Sequence, residues 1–301
     1  MTRWIEETFH KHWRVALKAD RVLHEVKTEH QHLVIFENAT WGRVLILDGV
    51  CQLTTCDEFV YHEMMAHVPL MALAKPRRVL VVGGGDGGVL REVLKHPSVE
   101  KATLCEIDRS VIDLSLQHYP EIAAGSIDDP RSDIVIADGL KYVADTTEKF
   151  DAIIVDSSEP IGPSAVLHTR EFFADCKQAL KERGVFVTQN GLPFLFPDHL
   201  AETTAALAGL YGRAAPFLCT QPCYFGGPFA LNWASDDGDL LDISVKKLAK
   251  RRDKRGVGTR YWTPAVHVAA FALPGYVGRV AEDAARRTTV KKSRRSVKKK
   301  H

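Results

Sequence analysis

The chain has 301 residues, 45% of them hydrophobic and 26% charged, which is the balance of a folded globular protein. No apolar run approaches the roughly 18–20 residues that cross a bilayer, and the first ten residues are polar and mixed in charge, unlike a secretory leader. Membrane-spanning, collagen-like and mostly disordered classes are excluded, and a cytoplasmic location is expected. The formal charge of +2 hides an asymmetry: Arg286 to His301 carries nine Lys or Arg and no acid, leaving 31 basic against 38 acidic residues before it. That body, at about −7, favours cationic partners over nucleic acid, while the tail reads as a solvated terminus where any nucleic-acid contact would lie. The six cysteines show no C-x-x-C pair, so reduced thiols are expected.

Residues 1–55 read as strands. His32–Phe36 and Arg43–Leu47 are short β-branched runs, Asp48-Gly49 is a turn signal, and Val50–Thr54 continues the extended pattern. The period changes at Asp57: Phe59, Met64, Val68 and Met71 suit a helix running to about Ala74, before Pro76. A strand–helix alternation follows, with strands at 79–82, 102–107, 134–137, 152–155 and 185–188. The helices between and after them span 89–95, from Ser110 as cap, from near Leu140, 170–180 and 198–209. Segments 217–219 and 229–235 read as an added hairpin. This predicts an α/β fold, a mostly parallel sheet covered on both faces and preceded by a small antiparallel β-domain. The expected units are residues 1–55, 56–285 and a basic tail, 286–301.

In such sheets ligands bind beyond the carboxyl ends of the strands. After the first parallel strand stands Gly83-Gly-Gly-Asp-Gly-Gly88, a G-x-G-x-x-G match that follows a strand and opens a helix. Asp86 inside it would repel a pyrophosphate and welcome a cation. Glu106, 18 residues past Gly88, can accept hydrogen bonds from both ribose hydroxyls, and Asp138-Gly139 could face an adenine edge. These acids suit a nucleoside without phosphates, such as S-adenosylmethionine or a relative. The fourth strand ends in Asp156-Ser-Ser-Glu-Pro-Ile-Gly-Pro163, whose two carboxylates suit an ammonium group or a general base. A metal is not expected: His62 and His67 are five apart, about 140° around a helix, and His30 and His32 lack a third ligand. Ser157 and Ser158 lie in no G-x-S-x-G elbow.

Together these segments resemble the spermidine synthase family of polyamine aminopropyltransferases. The likeness runs from about Trp4 to Val277 and includes Leu47–Val50, Asp57–Met64, Gly83–Glu92, Cys105–Asp108, Asp138-Gly139, Asp156–Pro163 and Tyr261–Pro274. The resemblance implies a Rossmann-like, methyltransferase-type domain that transfers aminopropyl from decarboxylated S-adenosylmethionine to putrescine, as a homodimer or homotetramer without metal. It implies nucleoside contacts for Gln31, Gly83, Gly85, Glu106, Asp138, Gly139 and Pro163. Tyr61, His62 and Tyr224 would line the amine channel, with Asp86 near the transferred group. Asp156 would accept the proton, and the loop Asp156, Ser157, Ser158 and Glu159 would hold the diamine. Glu159 departs from the family's Asp, setting its carboxylate about one methylene farther out and leaving the acceptor open: another diamine or a triamine is possible. An S-adenosylmethionine methyltransferase on the same sheet and a non-catalytic polyamine- or nucleoside-binding protein are the rival readings. Asp86 and the paired acceptor-loop carboxylates oppose the first, and the presence of Asp156 opposes the second.

Overall fold

The computed structural model describes residues 3–159 and 162–284; the side chains of 8–10 and 162–163, and the basic tail, lie outside the described residues. The chain begins with an antiparallel pair, β1 (Arg3–His10) and β2 (Trp13–Ala19). A four-stranded antiparallel meander follows: β3 (Arg21–Lys27), β4 (His32–Asn38), β5 (Gly42–Leu47) and β6 (Val50–Thr54). The β5–β6 turn places Asp48 at φ 47° and Gly49 at φ 81°, the two left-handed residues that a tight primed hairpin turn needs.

The continuous apolar run in β4 has a cause: both faces of this sheet are covered. Leu33, Ile35, Leu45 and Leu53 pack on Val111, Leu114, Tyr119 and Ile122, while Val34, Phe36, Val44 and Ile46 pack beneath the β1–β2 pair and against Cys223. The meander is thereby docked onto α3 (Arg109–His118) and the short α4 (Pro120–Ala123).

α1 (Glu58–Ala72) is buried along its whole length except at Phe59, which makes it a core helix with no solvent face. The large sheet runs in the order β12-β13-β11-β10-β7-β8-β9. Its parallel strands are β7 (Arg78–Gly83), β8 (Lys101–Glu106), β9 (Ser132–Ile136), β10 (Phe150–Asp156) and β11 (Leu180–Gln189). The predicted hairpin is present as β12 (Arg213–Cys219) and β13 (Phe229–Ser235), antiparallel to each other and joined antiparallel to β11. Strand alternation divides the core. Val79 and Val81 face a layer containing α1, α2 (Gly88–Leu94) and Trp262; Leu80 and Val82 face α5 (Gly139–Asp145), α6 (Arg170–Ala179) and α7 (Pro197–Leu210).

Two features differ from the sequence expectation. Ser110 does not cap α3: Asp108 is the cap residue and its carboxylate accepts the Ser110 N–H at 2.9 Å. The chain after β13, which carried no predicted element, forms α8 (Val245–Arg255) and α9 (Pro264–Ala269) and straps α1. Arg251 and Arg255 donate to the carbonyls of Leu70, Met71, Ala72, Leu73 and Ala74, closing the C-terminal end of α1. Nearer its other end, the buried Glu63 carboxylate accepts the N–H groups of Arg260, Tyr261 and Trp262 at 2.7–2.8 Å.

Candidate active site

The strand order reverses direction at β7, whose neighbours β8 and β10 lead to opposite edges of the sheet, and a cleft opens at the carboxyl ends of these strands. It encloses about 1180 Å³ of empty space, its open mouth included. Gln31, Tyr61, His62, Gly83, Gly85, Asp86, Glu106, Asp138, Gly139, Asp156, Ser157, Ser158, Glu159 and Tyr224 all line it. Of the residues singled out by the sequence, Pro163 is not among the described side chains.

One end of the cleft is built by β8 and the glycine loop. Glu106 is almost wholly buried at the tip of β8, and its Oε1 accepts the Asp108 N–H at 2.9 Å. Burial pushes its carboxyl up to about 7, against hydrogen bonds from the Asp108, Ile107 and Gly85 amides. Gln31 reaches over from the meander and donates to Asp108 at 3.1 Å. Asp138 spends one oxygen on the Leu140 N–H at 2.9 Å, capping α5, so part of the adenine-facing capacity expected of it is used structurally.

At the centre is Asp156. Tyr61 donates to its Oδ1 at 2.8 Å, while Oδ2 is buried without a hydrogen-bond partner. Space for that oxygen comes from Gly84 (φ +70°), where a Cβ would lie 2.6 Å from Oδ2. Burial, then the neighbouring Asp86, raises the Asp156 carboxyl to about 7, against the pull of His62 and the Tyr61 hydrogen bond. His62 lies between carboxylates: Nδ1 is 2.5 Å from Glu58 and Nε2 is 3.5 Å from Asp86. Burial alone would lower its pKa, but Asp86, Glu58 and Asp156 together raise it to about 9.

The other end is aromatic and acidic. The Tyr61, Tyr224 and Phe229 rings meet at 4.9–6.2 Å. Tyr224 is fixed by its hydroxyl on the Gln52 carbonyl at 2.6 Å, and its loop is tied to α1 through Cys223 N–H to Asp57 and Tyr61 N–H to Gln221. Glu159 faces Gln52, whose amide is 3.4 Å from Oε2, and burial raises this carboxyl to about 7 as well. Ser157 meets His168 at 3.2 Å, and the Ser158 carbonyl accepts from Gln189 at 3.0 Å.

Gln52 and Gln189 were missed in the sequence. Gln189 ends the fifth parallel strand, so the strand-end rule carried one strand further would have found it. Gln52 had only a weak signal, a polar residue between buried Cys51 and Leu53 on a strand. Among the described residues, His62, Asp86 and Asp156 offer ligand atoms within 4.8 Å of one another. Asp86 and Glu58 favour the charged form of the His62 ring, in which neither nitrogen has a lone pair to offer a metal.

Residues 58–244 match the spermine/spermidine synthase domain, and residues 3–55 match the spermidine synthase tetramerisation domain. The chain belongs to the spermine/spermidine synthase family. A polyamine aminopropyltransferase from Ruegeria sp. is 47% identical over 91% of this chain and 96% of its own. Polyamine aminopropyltransferase 1 of Pseudomonas aeruginosa is also 47% identical, over 90% and 95%. The fold agrees: a spermidine synthase solved with the transition-state analogue AdoDATO superposes with a TM-score of 0.88 at 37% identity, over 94% of this chain and 97% of that one. Spermidine synthase from Thermotoga maritima gives 0.85 at 37% identity, over 94% and 96%. The protein is thus an enzyme of the polyamine aminopropyltransferase class. Among its described residues no helix is long and apolar enough to cross a membrane.

Proposed function

We infer that the enzyme transfers the aminopropyl group of decarboxylated S-adenosylmethionine to putrescine, giving spermidine and methylthioadenosine. The observation that carries this reading is the Asp156 carboxylate, with one oxygen held by Tyr61 and the other buried, unpartnered and beside the glycine loop. A primary amine with a pKa of about 10.4 arrives as an ammonium and is no nucleophile until it loses a proton. Asp156 accepts that proton as the nitrogen attacks the carbon next to the sulfonium. The N–C bond forms, the C–S bond breaks, and its electron pair returns to sulfur, leaving a neutral thioether. A carboxyl raised to about 7 is matched to this task at neutral pH. Holding nitrogen, carbon and sulfur in line supplies much of the remaining acceleration.

In this reading Gln31, Gly83, Gly85, Glu106, Asp138, Gly139 and Pro163 hold the nucleoside, and Asp86 receives the donor's aminopropyl ammonium. An acid there also disfavours ordinary S-adenosylmethionine, whose carboxylate would meet it. Tyr61, His62, Tyr224 and the 156–159 loop hold the diamine. The AdoDATO complex of a close structural neighbour supports a donor of this kind, and the N-terminal match supports assembly as a homo-oligomer, a dimer or a tetramer.

The test is mass spectrometry of products from decarboxylated and ordinary S-adenosylmethionine with a series of amines from 1,3-diaminopropane to spermidine. Spermidine and methylthioadenosine from putrescine are expected, with kcat reduced about 10²–10⁴-fold in Asp156→Asn while donor binding persists. Methyl transfer, or no product with any amine, overturns the reading. Preference for another amine keeps the chemistry and assigns selection to Glu159, which Glu159→Asp would then shift.

A further inference from the structure

Behind the cleft, on the side of His62 away from substrate, lies a buried ion-pair assembly that the proposed reaction does not use. Glu58, on the first turn of α1, is 6% exposed and contacts His62 Nδ1 one helical turn later at 2.5 Å. Arg91 of α2 grips the same carboxylate through Nη2 at 2.9 Å and Nη1 at 3.3 Å. Arg91 is itself held by the Ile122 carbonyl at 2.7 Å and by Glu92 at 2.8 Å. The ring packs directly on the backbone of α2, in the space a Cβ on Gly88 would fill, at 2.2 Å from it.

We propose that Glu58 is a positioning residue: clamped by Arg91, it fixes His62 as an imidazolium aimed at Asp86 and Asp156. The argument is geometric. A histidine whose Nδ1–H is taken by a buried carboxylate must present Nε2 to whatever lies opposite, and here that is Asp86 at 3.5 Å. The charged groups around the ring come from each element packed on it: Glu58 on α1, Asp86 in the glycine loop, Asp156 on β10, and Arg91 of α2 through Glu58. Two carboxylates this close repel one another and each would resist ionisation. One fixed cation between them cancels one charge and leaves the other for the incoming ammonium. Without Glu58, burial pulls His62 toward neutrality within the physiological range, and Asp156 loses its cationic neighbour. The raised pKa of His62 and the lowered one of Glu58, held at about 2 despite burial by His62 and Arg91, agree with this arrangement.

The inference rests on the cleft being the site of aminopropyl transfer, so the test has one arm that needs no turnover. Ring resonances of His62, assigned with a His62→Gln variant, are followed by NMR against pH in the wild-type enzyme. They are expected to stay those of an imidazolium through pH 8, and in Glu58→Gln the midpoint is expected to fall by about one unit or more. The second arm is the pH profile of kcat/KM for the amine: its alkaline limb moves down by the same amount in Glu58→Gln and returns toward the parent position in Glu58→Asp. A wild-type His62 that titrates near the ordinary histidine value overturns the proposal, even if Glu58→Gln does not fold. So does a Glu58→Gln enzyme with lower kcat but unmoved limbs. Failure of transfer with every amine would instead count against the function and leave the NMR arm to decide on Glu58.

Discussion

Gly88→Ala separates helix propensity from site geometry, because the two give opposite signs. Gly88 opens α2 without a left-handed φ, so alanine suits the backbone and would ordinarily stabilise the helix by up to about 1 kcal/mol. Its Cβ, however, would stand 2.2 Å from both Cε1 and Nδ1 of His62 and 2.8 Å from Cγ. Ordinary carbon contacts are about 3.5–4.0 Å, so the ring must retreat by more than about 1 Å. It cannot do so without breaking its 2.5 Å contact to Glu58 or leaving Asp86. Overpacking of this kind costs about 1–3 kcal/mol, which outweighs the propensity gain. The expected result is a thermal midpoint about 3–6 °C lower and a kcat/KM reduced about 10²-fold. Differential scanning calorimetry and initial rates read both. Gly278→Ala is the control: no atom lies within 4 Å of its added Cβ, and it should be neutral or slightly stabilising. A Gly88→Ala enzyme as stable and active as the parent would refute the pinned placement of His62.

Two further outcomes are expected. Glu106, Asp156 and Glu159 have folded-state values of about 7, above their unfolded ones, so the empty enzyme binds more protons than the unfolded chain between about pH 4 and 7. Its stability from these groups falls as pH rises through that window, and His62, at about 9, adds a further loss above about pH 6.5. Glu58, at about 2, acts oppositely, its contribution being lost only as pH drops below about 4.5. Below about pH 6.5 the fall is opposed by His96, His168, His199 and His267, which burial holds below the ordinary histidine value, so urea midpoints should decline from about pH 6.5 to pH 9 while kcat/KM rises through about pH 7; midpoints that climb over this range would contradict the burial of these carboxyls and the charge held on His62. Glu63→Gln leaves three amides of the 260–262 segment with a weaker, incomplete acceptor, at a cost of about 2–4 kcal/mol. Limited proteolysis should then cut near residues 256–263 first; an unchanged cleavage pattern and melting point would show that the strap holds by other contacts.

The strand ends were readable because each is a local event: an apolar run followed at once by Gly83, Glu106, Asp138 or Asp156 announces both the turn and the chemistry. What converges on those ends is decided by packing over long separations and leaves little local trace. Glu58 and Arg91 look in sequence like solvated helix charges, and only the burial of α1 on all sides turns them into an internal pair. Gln52 reaches Glu159 across 107 positions, and Tyr224 reaches Gln52 across 172. The α8–α9 strap escaped notice for a related reason. Its polar stretch Val245–Arg255 carries few apolar residues, because arginines bonded to carbonyl groups take the place of a hydrophobic stripe. Asp108 was displaced by Ser110 as the expected cap because both residue types suit the position, and only the backbone geometry chooses between them.

The strap sets an order of events during synthesis. Glu63 meets its amide partners 197–199 positions later, and Arg255 reaches the end of α1 across more than 180. On a ribosome adding some 5–20 residues per second, α1 waits about ten seconds or more before its clamp emerges. Through that interval a helix of almost wholly buried side chains lacks its clamps, and the Tyr61 N–H still waits for Gln221. Catalytic competence is therefore among the last properties the nascent chain acquires, and chaperones would meet α1 before substrate does.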